Sequence, residues 1–167
     1  MKSIRLLAIV VILAAAIYGG YRVVRHFSKP RVGDTITVYY SKVDGETMVP
    51  WKVSLGPARD PHSVAFYAAT QAVAGPPSDV EAIRFPTGTI VRQVDVSGST
   101  AVIDLSHEVE VNGGGSFAET GEFKALVWSL TAIPGIDAVQ VRIDGRKVPT
   151  LPGGHLELDE PLTRSSW

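Results

Sequence analysis

Three histidines and several carboxylates beyond the N-terminal segment are the residues whose chemistry could build a metal site. The donor atoms belong to His62, His107, His155, Asp60, Asp104 and Glu108. Their spacing does not favour such a site, because no His-x-x-x-His pair occurs and only His107 and Glu108 are adjacent. We therefore expect neither a metal nor another cofactor.

A serine behind three glycines is the second candidate. Ser116 follows Gly115, but the Gly-x-Ser-x-Gly pattern of a nucleophile on a sharp turn is absent. Ser116 and Glu119 instead have the spacing of a helix capping box, which predicts a loop that ends in a capped helix. Anion binding at this helix N-terminus stays open as an alternative.

Paired carboxylates could cleave a glycosidic bond, and Asp104, Glu108 and Glu110 lie close together in sequence. At strand spacing they are better explained as a solvated edge. We expect Asp104 and Ser106 to accept hydrogen bonds from free backbone N–H groups and to fix the turn into the glycine loop. No catalytic residue is predicted, and the chain is expected not to be an enzyme.

Two tryptophans form the candidate partner surface. Trp51 lies in a predicted edge strand, and Trp128 lies off the main apolar stripe of the second predicted helix. Ordinary burial at the core or its rim is the alternative, because large aromatic side chains are usually mostly buried. Exposure of both would indicate a docking surface for another protein.

Periodicity and turn residues predict the elements that must position these groups. Strands are expected at 35–41, 48–55, 90–96, 101–105 and 139–143, the second at a sheet edge because it contains Pro50. One helix starts at Asp60-Pro61 and stops at Gly75. The second runs from Ser116 to Ile133, ahead of Pro134-Gly135.

The remaining turn signal is Asp144-Gly145, which predicts a hairpin that returns through 147–151. Helices with one apolar stripe and a sheet with one polar face predict a two-layer α+β sandwich. We expect a mixed, mostly antiparallel sheet with two helices on one face, in the order β-α-β-β-α-β plus a hairpin.

The N-terminus predicts where the domain works. Residues 6–21 carry no charge and lie between Arg5 and Arg22, which is slightly short of the roughly 20 residues of a typical membrane span. We expect a transmembrane signal-anchor at 1–25, a linker at 26–34 and a domain at 35–164. A cleaved signal peptide is the alternative. The flanking charges alone do not fix the orientation.

Composition excludes several classes. The chain has no cysteine, which rules out a disulfide framework, a thiolate site and a cysteine-linked lipid anchor. Its 167 residues carry a formal net charge of -1 with acids and bases mixed, so nothing indicates a nucleic-acid partner.

Six segments follow one another over roughly Ile36 to Arg164. They are TITVYYSKVDGETMVP, AVAGPP, IRFPTGTIVRQVDVSGSTAVIDLS, GSFAE, WSLTAIPGIDAVQVRIDGRKV and GGHLELDEPL. In this order they resemble the GerMN domain family, the sporulation and spore germination module, present here as one copy. Gly154 and His155 open the last of these segments. Ser129-Leu130-Thr131 stands where the family usually has threonine-leucine-threonine.

This resemblance implies a fold similar to the ring-building modules of envelope-spanning sporulation complexes, and no catalytic residues. It also implies an exported protein held at the cell membrane, with the C-terminal domain extracytoplasmic. We expect a binding or assembly module that contacts an envelope protein or assembles with itself. The alternative is a module that binds peptidoglycan or another envelope polymer.

Overall fold

The structure, a computed structural model, describes residues 18, 34–56, 60–111, 115–152 and 156–167. All of these except Tyr18 belong to the second of two contact-defined units, Val32–Trp167. Within this described part, no helix has the length and apolar character needed to cross a bilayer. The predicted anchor, except Tyr18, and most of the linker lie outside the described residues, as do Gly154 and His155.

Among the described residues of the second unit, five strands, two α-helices and one short 3-10 helix follow one another. The strands are β1 (Thr35–Ser41), β2 (Met48–Ser54), β3 (Val91–Ser97), β4 (Thr100–Leu105) and β5 (Ala138–Ile143). The helices are α1 (Pro61–Ala74), the 3-10 helix (His107–Glu110) and α2 (Ser116–Leu130). The two α-helices and the strands confirm the predicted α+β class.

The strands form two sheets. β1 and β2 form an antiparallel hairpin, while the second sheet has the order β3-β4-β5. In the second sheet β3 and β4 are antiparallel and β4 and β5 are parallel, as expected for a mixed arrangement. Ala101, Ile103 and Leu105 of β4 are fully buried, while the residues between them are only partly covered. One face of this sheet therefore belongs to the core.

Helix α1 begins as its sequence indicates. The Asp60 carboxylate accepts a hydrogen bond from the Ser63 N–H at 3.0 Å, and Pro61 occupies the first helical turn. Gly75 ends the helix with a φ of 79°. The buried side of α1 is mostly alanine, and the helix packs against β1, β3 and α2.

Helix α2 corrects two predictions. Its N-cap is Gly115, and no side chain caps the helix, so the predicted capping box does not form. Ser116 is already in the first turn, and Glu119 is buried instead of reaching back to the loop. The helix ends at Leu130, three residues before the predicted end, and Pro134-Gly135 follows in a separate turn closed by Ile136 N–H on Ile133 O at 3.1 Å.

The return strand predicted after Asp144-Gly145 is absent from the described residues. The turn itself forms, but its only ladder contact is an isolated bridge between Ile143 and Arg146. Beyond Arg146 the free edge of β5 is taken by the C-terminal segment. Val139 and Leu162 exchange two backbone hydrogen bonds of 2.8 Å each. Pro149 has no backbone N–H to donate to a neighbouring strand, so the segment 147–151 is poorly suited to form the predicted return strand.

Candidate functional site

A surface groove of about 710 Å³ lies between the end of β2, the first two turns of α1 and the middle of β3. Its apolar wall consists of Leu55, Phe66, Tyr67 and Val94. Phe66 is 41% exposed although its neighbours Val64 and Ala65 are fully buried, so its ring lies at the mouth of the groove. An exposed aromatic ring above an apolar wall is typical of a binding site.

The polar groups of the groove are mostly engaged within the domain. His62 Nδ1 accepts a hydrogen bond from the Val96 N–H at 3.3 Å. Gln93 donates from Nε2 to the Asp95 carboxylate at 2.6 Å. Amide, hydroxyl and imidazole groups therefore lie along the walls of the groove.

Arg92 is the charged side chain that lines the groove, and two carboxylates compensate its charge. Its Nε lies 3.4 Å from an oxygen of Asp104, and its Nη1 contacts Asp144. The other oxygen of Asp104 accepts a hydrogen bond from the Gly145 N–H at 2.7 Å. Asp104 therefore does accept a bond from a free backbone N–H, but at the turn after β5 and not at the predicted glycine loop.

Ser106 acts separately from Asp104. Its Oγ accepts a hydrogen bond from the Ile90 N–H at 3.0 Å, so it fixes the chain before β3. The Ser106 hydroxyl also lowers the pKa of Glu108 below its ordinary value. As predicted, Asp104 and Ser106 both accept hydrogen bonds from backbone N–H groups. Neither of these bonds lies at the turn into the glycine loop, where they were expected.

His107 joins the same surface network. Its Nδ1 lies 3.4 Å from an Asp144 oxygen, and its Nε2 lies 3.5 Å from Glu108. The tertiary structure thus brings Asp104 and Asp144 to the guanidinium of Arg92, and His107 to Asp144. A cation at the centre of the cluster does not suit a metal ion, and no group of three or more potential ligands capable of holding one occurs among the described residues.

The two predicted surface tryptophans lie in different environments. Trp51 is 40% exposed, and it pairs with Val38, so its ring lies on the core-facing side of the hairpin. Trp128 is half-buried, with its ring 5.5 Å from Tyr39 and the Arg164 guanidinium 4.8 Å from its centroid. Arg164 also donates to Thr131 Oγ1 and Trp128 O. Trp128 is thus covered by the C-terminal segment, and neither tryptophan lines the groove.

Two buried carboxylates lie on α2. Glu119 and Glu122 are each 3% exposed, and Glu119 Oε1 and Glu122 Oε2 have no hydrogen-bond partner among the described residues. Burial, reinforced by the negative charge of Glu119, raises the pKa of Glu122 to about 8. Glu122 is therefore mostly protonated at neutral pH.

The groove residues were missed by the sequence reasoning. Phe66 and Tyr67 sit next to the alanine stripe of α1, and their helical positions could have indicated a second, aromatic face. Arg92 and Val94 carried no such signal, because their role depends on which edge of β3 stays open. The groove is assembled by three elements that are distant in sequence.

The fold and the groove define a small α+β domain with an open surface site. A family model matches residues 37–149, and its description is sporulation and spore germination, the Germane family. The chain belongs to this family. None of the curated proteins matches its sequence.

Solved structures agree with this assignment. The tandem GerMN domains of the sporulation protein GerM from Bacillus subtilis match with 25% identity and a TM-score of 0.62, covering 81% of this chain. This chain spans about half of that tandem structure, 47% of its length. The first GerMN domain of the same protein matches with 25% identity and a TM-score of 0.60, covering 78% of this chain and 98% of that domain.

A candidate lipoprotein from Clostridium perfringens shares the fold. It matches with 19% identity and a TM-score of 0.58, covering 80% of this chain and 87% of the other. The chain thus contains a GerMN-like domain, and these three structures confirm its fold.

Proposed function

We propose that this chain is a membrane-anchored envelope protein whose extracytoplasmic domain binds a protein partner and catalyses no reaction. The observation that carries the proposal is the groove: an apolar wall with an exposed Phe66 ring, where His62 and Arg92 are already held by groups of the domain itself. An apolar pocket with a few polar groups held in fixed positions is typical of a ligand-binding site.

The context of the proposal comes from the family. The Bacillus subtilis relative is a sporulation protein, and the family is described by sporulation and spore germination. In keeping with a role in either process, we take the partner to be a component of the cell envelope. The apolar segment at 6–21 would hold the domain there.

Photo-cross-linking in the native envelope tests the binding role. Benzoylphenylalanine in place of Phe66 should yield a discrete adduct with a protein in the intact cell. Val43, which is exposed at the tip of the β1–β2 hairpin, serves as the control position and should yield none. Wall material cross-linked at Phe66, with no protein adduct, would refute the assembly role.

Binding of a wall polymer is the second candidate, because Tyr67 and the Gln93 amide lie in the same groove and together suit a sugar ring. The full chain should then sediment with purified peptidoglycan, and Phe66→Ala should reduce this binding. Retention that is unaffected by the substitution would count against a sugar site in the groove.

The anchor is tested through topology. A C-terminal reporter that is active only outside the cytoplasm should be active on this chain. Activity of a reporter that works only in the cytoplasm would overturn the extracytoplasmic placement.

A further inference from the structure

Strand β3 is the outer strand of its sheet where it borders the groove, and Val94 lies there with 5% of its surface exposed. Paired residues of antiparallel strands alternate between those that bond to the neighbouring strand and those whose N–H and C=O point away. The Val96 N–H points away from β4, because it donates to His62 on α1. The pairing of β3 with β4 is regular from Gln93 to Ser97. Val94 lies two residues before Val96, so its N–H and C=O also point away from β4.

No described residue bonds to the outward N–H or C=O of Val94. The opposite edge of the same sheet is covered at two positions, since Val139 of β5 exchanges two backbone hydrogen bonds with Leu162 and Ile143 exchanges two with Arg146. Proteins usually cover or blunt a strand edge, because unpaired backbone groups are a template for another strand. On β3, the unpaired backbone groups of Val94 lie where the strand lines the groove.

The rest of the groove restricts what can occupy it. His62 closes the edge at Val96, so an incoming strand is confined to the part of β3 that contains Val94. Beside this position lie the apolar groups of Leu55, Phe66 and Tyr67. The charge of Arg92 is already matched by Asp104 and Asp144, so the groove is electrostatically complementary to an uncharged side chain and not to an anion.

We propose that this groove binds an extended segment of a partner polypeptide, which adds as a strand to the β3 edge at Val94. The segment places a large uncharged side chain against Leu55, Phe66 and Tyr67. Backbone hydrogen bonds supply affinity in this mode, and the side-chain pocket supplies selectivity. This inference rests on the proposed protein-binding function and specifies its site.

Selection of linear peptides against the full chain tests the inference directly. Random-sequence peptides displayed on phage are the probe, and selected peptides should carry an aromatic or aliphatic residue with uncharged neighbours. Failure to select any peptide would overturn the proposal. So would the selection of anionic peptides that bind in the groove.

Amide hydrogen exchange identifies the bound edge. A selected peptide should slow exchange of the Val94 amide by about tenfold or more, as expected for a newly formed backbone bond. The Val96 amide is the matched control within the same strand, because it is already bonded to His62. Unchanged exchange at Val94 in the presence of saturating peptide would refute strand addition.

Variants separate this site from the broader function. Phe66→Ala should weaken binding of a selected peptide by about tenfold or more. Trp51→Ala should leave the affinity within about twofold, because Trp51 is equally exposed but lies outside the groove. Loss of binding only in Trp51→Ala would overturn the groove site and leave protein binding intact. A chain that cross-links only to wall polymer would overturn both.

Discussion

At the scale of single residues, the buried pair Glu119 and Glu122 is the feature with the clearest energetic consequence. Both carboxyl groups lie on α2, and each has an oxygen without a hydrogen-bond partner in the described structure. Removal from water disfavours an ionised carboxylate, and the second carboxylate adds repulsion. The pKa of Glu122 accordingly rises to about 8.

This pKa makes stability depend on pH. Between the ordinary glutamate pKa and about 8, the folded chain holds a proton on Glu122 that the unfolded chain has released. The free energy of unfolding should therefore fall as pH rises through this window, by up to about 1.4 kcal/mol per pH unit, and level off above it.

Glu122→Gln should flatten this profile, because the amide has nearly the same shape and no proton to lose. Urea unfolding at several pH values measures both slopes. Glu160→Gln is the control, since Glu160 is exposed and should leave the profile unchanged. Parallel profiles for the wild-type chain and Glu122→Gln would contradict the assignment.

At the scale of elements, helix α2 lies in close contact with strand β1 and with Ile83 in the loop after α1. Ser129 Oγ accepts from the Tyr39 N–H at 2.8 Å, which satisfies a backbone group of β1 from the helix. Gly121 lies on the same helix, where an added Cβ would stand 2.5 Å from Ile83 and 2.9 Å from the Ser41 hydroxyl. The absence of a side chain at 121 therefore permits the close approach.

Gly121→Ala should destabilise the domain by about 1–3 kcal/mol through overpacking. The better helix propensity of alanine, worth about 1 kcal/mol, offsets part of this loss. Thr120→Ala on the preceding position is the control, and it should change stability by less than about 0.5 kcal/mol. Thermal unfolding checks both variants, and a more stable Gly121→Ala variant would show that the helix has room to shift.

At the scale of the whole second unit, the two edges of the three-stranded sheet differ. The C-terminal segment covers β5 through Leu162, which is buried, and continues to Arg164 over the Trp128 ring. On the β3 edge, among the described residues, the Val96 N–H donates to His62, and helix α1 packs beside the strand. Backbone hydrogen bonds therefore protect the β5 edge from strand pairing better than the β3 edge.

Leu162→Ala should lower the free energy of unfolding by about 2–5 kcal/mol, because it removes a buried side chain at the closed edge. The Val139 amide should also exchange faster, since the Leu162 carbonyl that accepts its bond is held less firmly. Pro161→Ala serves as the exposed neighbouring control. Unchanged exchange at Val139 would mean that the segment is held by other contacts.

The sequence predicted those features that depend on local chemistry. Asp60-Pro61 and Gly75 delimit α1, because a cap, a fixed φ and a left-handed residue act within a few positions. The alternation of β4 and β5 and the α+β class were predicted for the same reason. The capping box at Ser116 failed, because burial of Glu119 against the core outweighs a local preference.

By itself, the sequence determined the family, the order of the five strands and two α-helices, and the turns at Gly75 and Asp144-Gly145, since these follow from residue types at short separation. Only the tertiary structure decided where the sheet edges are covered, how Asp104 reaches Gly145 across 41 positions, and where Leu55, Phe66 and Val94 converge. These features join residues far apart in the chain. Their contacts depend on how whole elements pack, which no local pattern specifies.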